Sequence, residues 1–190
     1  MKKLLLFICL CLLMQTMAAA MTVEEAYKAI PHRFTAFDEK SVSMTSQESR
    51  FLAEFFGLVN LAIVERVQTL AWFHSKGKQG SPFSSYRKNV EKIIGQLGQL
   101  NLPKNCVSVR QRVIEAVQDQ KAYFQEWDTA QAERAAFKYA LGSAGPRHAL
   151  VNRSSQKLHQ AYGELMQLFP KEKAQNQQAF FDHLCALDFV

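Results

Sequence analysis

Apolar residues in this chain recur at three- and four-residue intervals, and no stretch sustains the two-residue alternation of a strand. The pattern predicts an all-α protein. A first short helix covers Thr22–Ile30, where Thr22 and Glu25 have the spacing of a capping box. Thr45 and Glu48 repeat that spacing and open a long helix running to about Ser75. Between Phe51 and Val64 only Glu54 and Asn60 are polar, so apolar groups surround almost the whole circumference. A helix apolar on all sides must be buried on most of them. Those fourteen residues are too few to span a bilayer, so residues 46–75 are the expected central helix of a globular bundle.

Beyond a polar loop at Lys76–Gly80, a third helix is predicted from Pro82 to about Leu100, with Ser81 as its cap and Pro82 in the first turn. Phe83, Tyr86, Val90, Ile93, Ile94 and Leu97 align on one side, and Gly95 and Gly98 are expected to let a neighbouring helix approach closely. The fourth helix begins near Asn105 and places Cys106, Val109, Val113, Ala116, Phe124 and Trp127 on one face. After Trp127 the stripe fails, because Gln131, Arg134 and Lys138 fall where apolar residues should stand. Asp128 and Gln131 have capping spacing, so a break is expected there, followed by a new stripe through Ala130, Phe137 and Leu141. The fifth helix, Pro146–Phe169, should bury Val151, Leu158, Tyr162, Leu165 and Phe169. The sixth, Pro170 to about Leu187, should bury Phe180, Phe181, Leu184 and Cys185. All five prolines stand where helical patterns stop or start, and Gly142 and Gly145 mark the stop before Pro146. A single bundle of five to seven helices around residues 46–75 follows.

The first twenty residues stand apart. Lys2 and Lys3 precede an eleven-residue apolar core, Leu4–Met14, and the segment ends in Ala18-Ala19-Ala20. This is the layout of a cleavable export signal, removed after Ala20 to leave residues 21–190 as one helical domain. The core is well short of the roughly 20 residues that span a bilayer, so no stable membrane anchor is expected after cleavage. A periplasmic or secreted location is the expectation. Loss of Lys2 and Lys3 leaves 21 basic against 17 acidic residues, a net +4 on 170. That charge is scattered rather than gathered into a stripe, so no nucleic-acid partner is expected.

Two cysteines, Cys106 and Cys185, survive signal removal, and an oxidising compartment invites a disulfide between them. The topology decides it. If the chain turns back near Asp128, the segments 106–127, 129–141, 147–169 and 171–187 alternate in direction and Cys185 returns to the end holding Cys106. One straight helix through Asp128 puts the two at opposite ends, beyond the roughly 7 Å between Cα atoms that a bridge allows.

The chain carries no Cys-x-x-Cys pair, no His-Glu-x-x-His or Glu-x-x-His helix, no acidic calcium loop, no phosphate-cradling glycine pattern and no Gly-x-Ser-x-Gly. Neither a catalytic set, a cofactor nor a transition metal is therefore expected. Four features remain. His148 and His159 stand three turns apart on the fifth helix, with Asn152 and Ser155 between them, which makes a polar strip. Eleven residues put the two histidines about 16 Å apart, too far to share one ion. Glu54 and Glu65 have the same spacing on the central helix and, if turned inward, each needs a cation or must stay protonated. The segment Ile30–Phe37 carries His32, Arg33, Phe34 and Phe37 in a non-helical stretch, where function most often resides. Finally, Trp72-Phe73-His74 ends the central helix as an aromatic plug.

The expected function is an exported binding or interaction protein without catalysis, its protein or small-molecule partner unknown. The alternative is a small-ligand carrier or enzyme that joins the 32–35 loop to the His148/His159 strip. Convergence of His32, Arg33, His148 and His159 on one concave pocket would favour the alternative; scattered positions would favour the interaction protein.

Overall fold

The computed structural model describes residues 21–30, 32–75, 80–132 and 148–188. Among them lie six α-helices and no strand: α1 (Val23–Ala29), α2 (Ser46–His74), α3 (Phe83–Gln99), α4 (Val107–Ala132), α5 (Ala149–Leu168) and α6 (Ala174–Leu187). A 3-10 turn, Lys104–Cys106, leads into α4. The export segment, Pro31, the loop residues 76–79 and the expected stripe through Phe137 and Leu141 lie outside the described residues, as do Gly142, Gly145 and Pro146.

Both expected capping boxes are formed. Glu25 accepts the Thr22 N–H at 2.7 Å while the Thr22 hydroxyl accepts the Glu25 N–H at 3.2 Å. Thr45 and Glu48 do the same at the start of α2, satisfying donors that a helix leaves unpaired. Glu48 also accepts from Asn105 Nδ2 at 2.6 Å, which ties the start of α2 to the turn before α4. The Ser81 hydroxyl accepts the Phe83 N–H at 3.0 Å, so α3 starts one residue beyond Pro82.

The helices close into one bundle. α2 packs against α1, α3 and α6; α4 lies between α3 and α5, and α5 between α4 and α6. Between α4 and α5 the polar pairs show the direction. Glu126 meets His148, Asp119 meets Arg153 and Lys157, and Arg112 meets Glu164, so partner numbers fall along α5 as they rise along α4. The two helices are antiparallel. The core joins them all through Tyr27, Phe55, Phe56, Leu97, Tyr123, Phe124, Leu158, Leu165 and Phe180. At the end of α2, Phe73 stacks on Phe124 and Trp127 of α4 at 6.0 and 4.5 Å, and Trp72 sets its edge against Phe73. The expected plug is a core element.

Four expectations are corrected. α4 runs through Asp128 without a break to Ala132. The last described turn of α4 lies beyond the start of α5, which is level with Glu126, and Thr129, Gln131 and Ala132 are exposed. The Asp128 carboxylate accepts from the Ser81 hydroxyl instead of capping a new helix. The Cys106–Cys185 disulfide is not formed: both thiols are free. Gln120 of α4 donates to the Leu187 carbonyl at 2.8 Å, which sets the end of α6 level with residue 120. Fourteen residues of α4, about 20 Å, then separate that level from Cys106. Burial pushes the Cys106 thiol up to about 12, with Glu48 adding to it, and burial raises the Cys185 thiol too.

Gly95 and Gly98 do not admit a neighbour. Both are exposed, and a methyl group at either would meet nothing within 4 Å. Phe181, expected inside, is 42% exposed. On α6 the inward positions are Phe180, Leu184 and Leu187, at i, i+4 and i+7, which turns Phe181 and the half-buried Cys185 onto the shoulder of the helix.

Candidate binding surface

Polar groups are concentrated on the buried side of α6. Asn60 on α2 accepts at Oδ1 from the Tyr27 hydroxyl at 3.1 Å and faces His183 Nδ1 at 2.8 Å. Tyr27 and His183 themselves lie 2.9 Å apart. Two donors on one amide oxygen put the His183 proton on Nδ1, an assignment from the network. Burial lowers the imidazole to about 4 against the opposing charge of Asp182. It also raises the Tyr27 phenol well above its ordinary range. Two turns along α2, the buried Arg66 guanidinium donates through Nη2 to the Ala186 carbonyl at 2.5 Å. Burial draws Arg66 down to about 10, and the proximity of Tyr86, Asp188 and Tyr27 keeps it charged. Gln120 bridges the Ser154 hydroxyl and the Leu187 carbonyl, and Ser155 donates to Asp188 at 2.6 Å. Each of these groups is consumed in fixing the last helix to α1, α2, α4 and α5.

The segment between α1 and α2 crosses α6 as a strap. Phe37 packs against Phe56 and Phe180 at 5.7 and 6.3 Å. Asp38 accepts from Lys173, and its N–H donates to Asn176 Oδ1 at 2.8 Å. The Glu172 carboxylate accepts from the hydroxyls of Ser41 and Ser43. Burial opposes its charge, but those hydrogen bonds outweigh it and draw the carboxyl down to about 2.

The sequence-predicted residues divide between two places. His32 lies at the start of the strap, 6.4 Å from the Tyr27 ring and 6.2 Å from the Phe181 ring, with Arg33 exposed beside it. His159 is exposed on α5, 3.8 Å from the Asp188 carboxylate, and shares with Phe181, Tyr162, Leu158, Leu184 and Cys185 an apolar depression of about 30 Å³. His32 and His159 therefore flank Phe181. His148 stands at the start of α5, three turns before His159, where it caps the helix by accepting the Leu150 N–H and pairs with Glu126 at 3.0 Å. Asn152, one turn on, is exposed. Of the carboxylate pair, Glu54 is exposed, whereas Glu65 is half-buried and accepts from Asn89 at 2.9 Å. Burial raises the Glu65 carboxyl, and that hydrogen bond works against the rise.

A larger depression, about 250 Å³, opens at the start of α2, floored by Phe51 and rimmed by Arg50, Glu54 and Asn101. Among the described residues no cluster of three His, Cys, Asp or Glu side chains could hold a metal ion. No described helix is long and apolar enough to cross a membrane. Comparison with protein-family models, curated proteins and solved structures finds no match.

Sequence reasoning singled out the segment that holds Phe34 but missed the exposure of Phe181 and the polar groups under α6. Two signals point toward them. Asn60 and Arg66 are six residues apart on a helix whose other buried side chains are mostly apolar, so each needs a buried partner elsewhere. His183 lies three residues after Phe180, on the same helical face, although its neighbour Asp182 makes the stretch look solvated.

Proposed function

We propose that this protein is exported and acts, without catalysis or cofactor, as an interaction module whose partner docks on the Phe34/Phe181 surface. The observation that carries this reading is two exposed phenylalanines joined through the rings of Tyr27 and His32. Phe34 is 39% exposed and Phe181 42% exposed, and His32 lies against Phe181 while Tyr162 sets its edge to it at 5.6 Å. Two large apolar groups left in water, linked through the rings of Tyr27 and His32 and accompanied by Arg33 and His159, have the composition of a protein-binding patch. The depression at Phe181 is about 30 Å³, far below the roughly 300 Å³ at which small-molecule pockets begin, which favours a protein partner. The distance of His148 from this patch weighs against a pocket built jointly from the strap and the α5 strip. The basic, apolar and small-residue zones of Met1–Ala20 support export.

Native mass spectrometry of the full-length gene product, recovered from the cell envelope of the cells that make it, tests the reading. The expected mass begins within two residues of Met21, carries two free thiols and travels with a second protein. Retention of Lys2 and Lys3 would defeat the export argument. A retained small molecule or one equivalent of a transition metal would favour the carrier or enzyme instead.

A further inference from the structure

The described residues contain one histidine ring that is both fully enclosed and bonded across three helices. His183 is 1% exposed. It stacks on Phe56 of α2 at 4.7 Å and meets Phe34 of the strap edge-on at 5.6 Å. Its Nδ1 is taken up by Asn60 and Tyr27, and among the described residues its Nε2 has no hydrogen-bond partner. A second proton can therefore enter only at Nε2, and there it would sit as an N–H without a hydrogen-bond partner among the described residues. We propose that His183 is an acid-sensitive latch that holds α1 and residues 32–35 against α2 and α6 while neutral, and releases them when it is protonated.

The charged and titratable groups around the ring do not relieve that proton. Asp182, next on α6, favours it through a buried carboxylate whose Oδ1 is engaged by Gln178 at 2.7 Å and whose Oδ2 has no partner among the described residues, but burial of the ring outweighs its field. From α2 the Arg66 cation acts on Tyr27 and not on the ring itself, from α1 comes the Tyr27 phenol, and from the strap His32 adds a further titratable ring beside Tyr27. On α5, His159 lies against Asp188. Release solves the problem, because α1 is only seven residues long and is held at its middle by Tyr27. Its departure hydrates the ring and restores ordinary basicity.

The sign follows from the depressed value. Above pH 6.5 the ring is neutral whether the arm is closed or open, and the latch holds fully. As pH falls from 6.5 toward 4 the open state binds the proton and the closed state does not, so closure weakens. The carboxylates that pin the strap behave differently. Hydrogen bonds from Ser41 and Ser43 hold Glu172 to about 2 despite its burial, and the Lys173 bond lowers Asp38, so both stay ionised through this window. Acid should thus free residues 23–35 and leave residues 38–44 in place.

Hydrogen exchange on the mature protein at pH 7 and pH 5, expressed as protection factors, reads this directly. The amides of Ala26, Ile30 and His32 each donate within the arm, to Thr22, Ala26 and Tyr27. Their protection should fall by roughly 20- to 30-fold at pH 5, while Asp38 and the amides of α4 are unchanged. His183→Asn keeps a donor toward Asn60 and cannot titrate, so the fall should vanish; His32→Gln should retain it. No fall in the wild type, an equal fall at Asp38 and α4, or a fall that persists in His183→Asn overturns the latch. Should His183→Asn leave α1 unprotected at both pH values, the wild-type ring decides. An NMR titration of His183 with α1 closed down to pH 5 contradicts the proposal, and opening that tracks its protonation supports it.

Discussion

Replacing Arg66 by alanine should lower the unfolding free energy by about 3–5 kcal/mol, the range for breaking a buried charge network from one side. Arg66 is 3% exposed, and its guanidinium donates to the Ala186 carbonyl. The substitution deprives that carbonyl of its donor and removes the cation that lies near Asp188, itself 3% exposed. It also empties the volume of a long side chain in the core. For a domain of this size the midpoint of thermal unfolding should fall by roughly 10 °C. Urea unfolding followed by circular dichroism measures the loss. The double variant Arg66→Met/Asp188→Asn should recover a large part of it, because both charges then leave together. A loss below about 1 kcal/mol in Arg66→Ala would mean that the end of α6 is not held by this residue.

The second large effect is expected at Phe180. This ring is fully buried and contacts Phe56 on α2, Phe37 on the strap and Phe169 at the end of the α5 segment. Phe180→Ala should cost about 3–5 kcal/mol, the transfer term plus an unfilled cavity. Phe180→Leu should cost less than half of that, since most of the volume is kept. The expected signature is local as well as global: Asp38 and Ser43 amides should exchange faster in Phe180→Ala, because Phe37 loses its support. Equal protection at those amides in wild type and variant would show that the strap is held by its polar contacts alone.

How far the sequence carries this architecture can be followed residue by residue. The capping boxes at Thr22 and Thr45 and the stripe from Phe83 to Leu97 are local patterns, and the structure follows them closely. The turn at Asp128 failed because a lost apolar stripe has two causes: a helix can end, or it can outrun its neighbours. Only the length of the partner helix distinguishes them, and that is a tertiary fact. The disulfide failed with it, since it depended on the same turn. His32 and His159 meet around Phe181 through the crossing of the strap over α6, which no spacing in the chain encodes. His183 was passed over because a histidine beside an aspartate looks hydrated until the strap covers it.

A partner that docks on the proposed surface should be captured from Phe34 and Phe181 and not from Leu61 or Val107. A photoreactive benzophenone side chain can be placed singly at Phe34, Phe181, Leu61 or Val107, which have similar exposures of 39, 42, 48 and 48%. The full-length chain is then irradiated in the cells that make it. The account predicts one protein adduct of the same mass from positions 34 and 181, with none from 61 and 107. Adducts of equal yield at all four positions, or none at 34 and 181, would contradict it.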